Sequence, residues 1–471
     1  MPMKKISTLA LCLMLLLTLT ACAAIGRYAG QTAGQQAAES ANPVPTLAPA
    51  ESEAPQQTPG ETAEATPALP AVSPEELGNA PSNLSAGGAM VRGEDGTLYL
   101  AQEDGIYALP EGGSLTKISP DRAASLNFYG GRLYYIAQTY APDETGYVQR
   151  SAAEIASLAP DGSDRQVLAE QKPAGTTTVF DAQTGFFTEW TQRVGYGDLC
   201  IAQGYAFFLA DNERPGTVRA RDSVSGREGE SGYASEKSIY RIDLATGERQ
   251  EIVADVGAAQ PHLATDGAKL YYTTSYENPF FAYPFVTFHA CGLDGSGDEL
   301  LLPQDYNPNA ACGFTSDRGC MTEIIDGIFP ANGALFVEAS DSEGDFPNSR
   351  LMCVAAGAYQ KVADETYYVR TVDAGEGRMV FFTAPGGVQY EQDEEGVITN
   401  EYVQDARLVL GDPGEGEGET LLTIERVNRF GDEFSRFDLA VFGSDLYLRT
   451  DRALYRVDAG GSEKLADLPT A

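Results

Sequence analysis

The sequence predicts an all-β protein: a β-propeller of seven four-stranded blades that follows a signal peptide and a disordered linker. The main observation is a pattern of short strands and glycine turns that recurs seven times between residue 88 and the C-terminus. Composition agrees with it, because 50 Gly, 24 Tyr and 20 Phe among 471 residues suit many short strands rather than long helices.

Residues 1–22 have the features of an export signal. Lys4 and Lys5 supply a positive start, and the apolar stretch 9–19 is too short to span a membrane. The sequence LTAC that ends at Cys22 resembles a bacterial lipobox, which implies cleavage before Cys22 and a lipid on its thiol. An ordinary secretory signal with an incidental cysteine is the alternative. We therefore expect a protein anchored to the cell membrane by lipid, with the ring on the extracytoplasmic side.

Residues 23–87 differ in composition from the rest of the chain. They contain nine prolines, no Asp and no Lys, and their leucines follow neither a helical nor a strand period. Such a stretch buries too little apolar surface to offset its chain entropy. It predicts a disordered tether before the propeller of residues 88–471. A strand from 71–84 that adds to the last blade is a further possibility.

Each repeat is marked most clearly by an apolar triplet that we assign to the second strand of a blade. The triplets are Leu98–Leu100, Leu133–Tyr135, Ala206–Phe208, Leu270–Tyr272, Leu335–Val337, Val380–Phe382 and Leu446–Leu448. A glycine turn precedes each triplet; a third strand, a second turn and a short apolar fourth strand follow. Four antiparallel strands per repeat indicate propeller blades. A count of six or eight blades, or an array of two-sheet sandwiches with fewer and longer strands, stays open.

Further motifs support a family resemblance. YRID at 240–243 and YRVD at 455–458 lie in third strands, and PDGS at 160–163 and LDGS at 293–296 form the following turns. These motifs resemble the propellers of bacterial surface lipoproteins related to the low-density-lipoprotein-receptor (YWTD-related) and TolB-type families. The resemblance covers residue 88 to about residue 468 and implies a shared scaffold, not a shared chemistry. Because the YWTD signature is absent, it implies no receptor-like ligand.

The long insertions all belong to one face of the predicted ring. Links between second and third strands and links between blades emerge on this face, which we call the loop-rich face. The other links form the turn-rich face. The insertions are 140–150, 171–197, 212–237, 276–283, 304–321, 341–350, 385–402 and 426–436. We expect function on the loop-rich face and its central opening, because repeat rings elaborate the loops that bind.

Two of these loops carry the candidate ligand-binding residues. The residues are Phe186, Phe187, Trp190, Phe280, Phe281 and Tyr283. Flat aromatic faces suit sugar rings, peptide side chains or the centre of a protein interface. The alternative is that these side chains fold back and cap the ring, since exposed aromatic patches are costly.

The formal charge of −36 argues against nucleic acid or anionic lipid as a partner surface. Acidic runs at 341–345, 391–395 and 414–419 offer oxygen ligands, so Ca²⁺ is the one cofactor considered. None has the spacing of an EF-hand, which favours solvated loops, and we predict no metal site.

Evidence for catalysis is sparse. His262 and His289 are the only histidines, and no HExxH, GxSxG or phosphate-binding loop is present. Both are expected to be structural, although a triad of distant residues stays open because triads are recognised by geometry. Carboxylates alone could serve a hydrolase or lyase at the central opening.

The remaining cysteines suggest one disulfide. Cys312 and Cys320 flank one loop and are the candidates, given an oxidising compartment. Cys291 and Cys353 either pair or are buried as apolar residues. Together these observations predict a non-enzymatic binding or scaffold propeller whose partner is an envelope protein or glycan, with the hydrolase or lyase as the alternative.

Overall fold

The computed structural model describes residues 77–469 except for short internal segments. These segments are 143–147, 172–176, 181–186, 191–195, 222–227, 258–260, 277–284, 303–322, 342–348, 367–370, 384–387, 394–396, 414–416 and 429–436. The predicted signal and lipid site lie outside the described residues.

Seven four-stranded antiparallel sheets follow one another along the chain as the blades of a β-propeller, which confirms the predicted fold. Blade 1 comprises β1 (Met90–Arg92), β2 (Leu98–Gln102), β3 (Gly105–Leu109) and β4 (Thr116–Ser119). Blade 2 comprises β5 (Ala123–Tyr129), β6 (Arg132–Pro142), β7 (Val148–Leu158) and β8 (Gln166–Gln171). A hairpin of β9 (Thr177–Phe180) and β10 (Phe187–Trp190) precedes blade 3.

The remaining blades keep the same order. Blade 3 comprises β11 (Tyr196–Ala202), β12 (Tyr205–Arg221), β13 (Glu228–Asp243) and β14 (Arg249–Gly257). Blade 4 comprises β15 (Leu263–Thr265), β16 (Lys269–Tyr276), β17 (Phe285–Gly292) and β18 (Glu299–Leu300). Blade 5 comprises β19 (Glu323–Ala331), β20 (Ala334–Asp341), β21 (Ser349–Ala355) and β22 (Ala358–Thr366).

Blade 6 is the only one with an additional strand among the residues described. It comprises β23 (Val372–Gly375), β24 (Arg378–Thr383), β26 (Ile398–Asp412) and β27 (Glu417–Asn428), and the additional β25 (Val388–Gln392) pairs with β26. Blade 7 comprises β28 (Phe437–Phe442), β29 (Asp445–Thr450), β30 (Ala453–Asp458) and β31 (Gly461–Asp467).

The marker triplets lie in the second strands, as predicted, because both faces of those strands are buried. Leu98, Tyr99 and Leu100 are at most 5% exposed, although neighbouring side chains point to opposite faces of a sheet. A separate apolar cluster lies between each pair of adjacent blades, including blades 7 and 1. Burial on both faces therefore replaces the usual alternation of apolar and polar residues with an apolar run.

The PDGS turn at 160–163 joins blade 2 to blade 1. Asp161 accepts hydrogen bonds from the backbone amide (2.9 Å) and the hydroxyl (2.6 Å) of Ser163, which closes the turn. Gly162 has a φ of 85°, and a Cβ there would lie 2.1 Å from the carbonyl oxygen of Ile118 in β4. The turn is packed so closely on the preceding blade that only glycine fits.

The LDGS turn at 293–296 repeats this geometry between blades 4 and 3. Asp294 accepts from the amide and hydroxyl of Ser296 at 2.9 and 2.6 Å. Gly295 has a φ of 81°, and its Cβ would lie 2.2 Å from the carbonyl oxygen of Ile252 in β14. The recurring motif is therefore a contact between blades.

Strand extensions make up much of the loop-rich face. The β12–β13 ladder continues from Asp211 to the pair Arg221–Glu228, so the insertion predicted as a loop is largely a β-hairpin that pairs its own backbone groups. The β6–β7 and β25–β26 ladders extend on the same face. Turns between first and second strands are tight, as at Gln203–Gly204 and Asn332–Gly333. The predicted contrast between the two faces holds for the residues described.

Residues 77–88, which we call the central segment, correct two expectations. They belong to the ring although we assigned them almost entirely to the tether, and they include the short helix α1 (Pro81–Ser85). No strand from 71–84 joins the last blade in the part described, because its four strands are β28 to β31. Among the described residues, no helix has the length and apolar character needed to cross a membrane.

Candidate functional site: the central channel and the loop-rich face

The central segment runs along the axis of the ring. The first strands of the blades line that axis, and α1 lies against five of them, β11, β15, β19, β23 and β28. At the turn-rich end, Leu77 forms a β-bridge with Ala202, the last residue of β11. At the other end, Gly88 is followed closely by β1, which starts on the loop-rich face. The chain therefore passes through the channel from the turn-rich face to the loop-rich face.

Polar side chains fix the central segment to the blades around it. The Asn79 amide donates to the carbonyl oxygens of Met90 and Leu126, both at 2.8 Å. Asn83 donates to the carbonyl of Val441 at 3.0 Å and accepts from its amide at 2.9 Å. These buried amides satisfy backbone groups that the sheets leave unpaired at the axis.

Blades 5 and 6 contact the helix through two serines. The Ser82 hydroxyl accepts from the amide of Asp373 at 3.0 Å, and the Ser85 hydroxyl lies 3.4 Å from the buried carboxylate of Glu338. A Cβ on Gly327 would lie 2.4 Å from that hydroxyl, so a glycine in β19 makes room for the helix. Glu338 also accepts from the amide of Thr371 at 2.8 Å, as a buried carboxylate requires.

A small polar cavity lies beside α1 where blades 2, 3, 4 and 5 meet. Its free volume is about 30 Å³, which is room for about one water molecule. The lining residues are Pro81, Leu84, Ser85, Ser125, Asp198, Leu199, His262, Leu263, Asp326, Gly327 and Ile328. Two carboxylates and a histidine thus converge there, which the sequence did not indicate because they belong to three different blades.

His262 bridges blades 3 and 5 from its position before β15. Its Nδ1 lies 3.3 Å from Oδ2 of Asp198, and its Nε2 lies 2.8 Å from the carbonyl oxygen of Ile325. Asp198 sits at a β-bulge of β11 with a φ of 27° and also accepts from the amide of Leu263 at 2.9 Å. Bulges re-aim side chains, and this one directs a carboxylate towards the neighbouring blade.

The contact between His262 and Asp198 shifts the pKa values of both side chains. Burial alone would lower the pKa of His262, but its hydrogen bond to Asp198 and the charge of that carboxylate raise it above the ordinary value of 6.5. Burial acts to raise the pKa of Asp198, and the contact with His262 outweighs it, so that this pKa is lowered. The charge of Lys237 contributes to the same lowering. The protonated histidine and ionised aspartate are therefore the favoured pair.

This arrangement suits a structural contact better than catalysis. A general base needs a ring nitrogen that reaches substrate, whereas both nitrogens of His262 already have protein partners. Although Asp198, Asp326 and His262 line one cavity, no group of three or more such side chains in the described ranges is arranged so that it could hold a metal ion.

His289 likewise has partners for its whole ring, as expected for a structural residue. It stacks on Tyr272 with centroids 5.0 Å apart, and its Nδ1 lies 3.2 Å from Asp298. Its Nε2 lies 2.9 Å from the hydroxyl of Thr287. The two histidines belong to different contact groups and share no site.

Most of the predicted site residues lie outside the described residues. This holds for Cys22, Phe186, Phe280, Phe281, Tyr283, Cys312 and Cys320, whose assignments stay predictions. Phe187 and Trp190 are the end residues of β10, paired with Phe180 and Thr177. The aromatic stretch between blades 2 and 3 is thus partly a hairpin.

The other cysteines that the structure describes are free thiols. Cys200 and Cys291 are buried, Cys353 is partly buried, and all are unpaired. Of the two alternatives for Cys291 and Cys353, the apolar one is therefore correct. Burial raises the pKa of the Cys291 thiol to about 11, which keeps it protonated and unreactive at neutral pH.

No family model matches the chain, and no curated protein matches it significantly. Similar solved structures include a puromycin hydrolase mutant complexed with PGG, at 11% identity and a TM-score of 0.42, covering 85% of this chain and 56% of that one. TolB from Acinetobacter baumannii is 10% identical with a TM-score of 0.32, covering 69% and 60%. An oligogalacturonate lyase in complex with manganese is 12% identical with a TM-score of 0.38, covering 80% and 91%.

The chain thus spans little more than half the length of the first two structures. TolB-type propellers are among these structural neighbours. Identities this low concern the fold alone, and function has to be argued from the chain's own residues.

Proposed function

We propose that this protein is a non-enzymatic binding or scaffold propeller that engages an envelope protein or glycan through its loop-rich face. The observation that carries the proposal is the difference between the two faces of the ring. The extended β6–β7, β12–β13 and β25–β26 ladders project on one face, while Leu77 joins the ring at the other. Any membrane anchor that precedes Leu77 is thereby connected to the turn-rich face.

A lipid on Cys22 would give this difference between the two faces a function. The tether would hold the ring by its turn-rich face and leave the extended hairpins directed away from the membrane. Anchoring, export and the identity of the partner are parts of this proposal. Ca²⁺ is not required by it.

The alternative, a hydrolase or lyase at the central opening, has one observation in its favour. Asp198, Asp326 and His262 converge beside α1, as carboxylate chemistry would require. The central segment fills the channel, however, and the remaining cavity has a free volume of only about 30 Å³. The binding function is therefore the better supported of the two.

Site-specific photocrosslinking in the native envelope tests the proposal. A benzophenone amino acid replaces Val148 or Val397, which are 60% and 58% exposed on loop-rich links, or the exposed Glu111 or Glu248 on turn-rich links. We expect one discrete crosslinked partner at Val148 and Val397 and none at the two glutamates. Partner capture at the glutamates alone, or at none of the positions, would refute the proposal.

A further inference from the structure

We propose that the wall of the central channel is a peptide-binding surface, and that the ring closes by binding its own residues 77–88. A propeller can close when its first and last blades share a strand, which removes an exposed edge. Here the four strands of blade 7 all follow residue 436, and the four strands of blade 1 all follow residue 89. In the described residues, blades 7 and 1 therefore share no strand, and other contacts hold them together.

Among the described residues, Arg92 and Arg449 supply the polar side-chain contacts across the seam between blades 7 and 1. Its apolar cluster is supplemented by contacts of Arg92 with Asp445 at 3.0 Å and with the carbonyl oxygen of Phe442 at 3.5 Å. Arg449 also donates a hydrogen bond to the carbonyl of Ala101. The Arg92 and Asp445 side chains are 33% and 36% exposed, and an ion pair that exposed contributes little.

The central segment crosses this seam with a continuous chain of hydrogen bonds. Asn79 donates to Met90 of blade 1, and Asn83 donates to Oδ1 of Asn79 at 3.2 Å. Asn83 in turn donates to and accepts from the backbone of Val441 in β28. The side-chain amide of Asn83 thus forms the same two hydrogen bonds with the backbone of β28 that a residue of a neighbouring strand would form.

The remaining contacts of the central segment join it to the other blades of the ring. Gly78 donates to Ile201 of blade 3 at 2.9 Å and accepts from Phe128 of blade 2 at 2.7 Å. Its missing side chain is a requirement, because a Cβ there would lie 2.8 Å from both Asn127 Oδ1 and Ile201 Cβ. Ser82 and Ser85 reach blades 6 and 5 as described above, and α1 also lies against β15 of blade 4. One short peptide therefore contacts every blade.

Hydrogen exchange on the full lipid-free chain, followed strand by strand, tests this inference. Asn83→Ala removes the link to blade 7. The control is Gln203→Ala, because the Gln203 amide donates to the carbonyl of Gly267 at 2.7 Å and so joins blades 3 and 4 without crossing the seam.

We expect Asn83→Ala to speed exchange about tenfold or more in both β28 and β1, on the two sides of the seam. Gln203→Ala should speed exchange only near the β11–β12 and β15–β16 turns and leave β28 and β1 unchanged. Should Asn83→Ala fail to fold, Asn79→Ser serves as the milder variant, with faster exchange expected in the same two strands. Faster exchange confined to β28 after Asn83→Ala, with β1 unchanged, would overturn the proposal.

Discussion

The turn glycines that join neighbouring blades give a quantitative prediction. At Gly295, alanine would have to adopt a φ of 81°, which costs about 1 kcal/mol for a residue with a Cβ. Its methyl group would also lie 2.2 Å from the carbonyl oxygen of Ile252, more than 1 Å inside ordinary contact. Relieving such overpacking costs a further 1–3 kcal/mol or so, because a backbone carbonyl, not a flexible side chain, has to move. We expect Gly295→Ala to destabilise the ring by about 2–4 kcal/mol.

The residue that follows this turn supplies a matched control. Gly297 has a φ of 66°, but no atom lies within 4 Å of the position of its Cβ. Gly297→Ala should therefore cost only about 1 kcal/mol, the cost of the backbone conformation. Urea unfolding of the lipid-free chain measures both variants. Equal destabilisation by the two substitutions would refute the view that this turn fits closely against the preceding blade.

Two further predictions concern the cavity and the aromatic loops. Because the pKa of His262 is raised above 6.5, its contact with Asp198 stabilises the ring below that pH and is lost as the pH rises through the folded-state pKa. The free energy of unfolding should fall by at most about 1 kcal/mol between pH 6 and pH 9, since Asp198 is partly exposed. His262→Leu should flatten this dependence on pH. An unchanged slope in the variant would contradict the view that the His262–Asp198 contact causes it. Trp190→Ala and Phe281→Ala should each weaken partner capture without lowering the melting temperature, and capture that survives both changes would exclude the aromatic loops from the interface.

Much of the fold was predictable because repetition amplifies weak signals. A single triplet such as Leu98–Leu100 is compatible with a buried strand or a helix, but seven copies between glycine turns indicate a ring of blades. Turn positions were predictable for a related reason, since Asp161 and Gly162 encode their conformation locally. The division into two faces then followed from topology alone.

The centre of the ring was not predictable in the same way. Residues 77–88 occur once, lie next to a proline-rich stretch, and bind the other blades through residues far away in sequence. Asn83 meets Val441 across 358 positions, which no local pattern reveals. The only available signals were Pro81 at the start of a short helix and the two glycines after it. His262 was missed as a bridge for the same reason, because Asp198 and Ile325 belong to other blades.

Shortening one hairpin tests the proposed function most directly. Deleting residues 213–236 and inserting one glycine places an Asn-Gly turn between Asp211 and Lys237, which pair across β12 and β13, and Asn-Gly favours a two-residue hairpin. The blade itself remains, so the melting temperature should stay within a few degrees of the wild-type value, while capture of the envelope partner should be lost. Undiminished capture by the shortened chain, at an unchanged melting temperature, would contradict binding through the extended face of the ring.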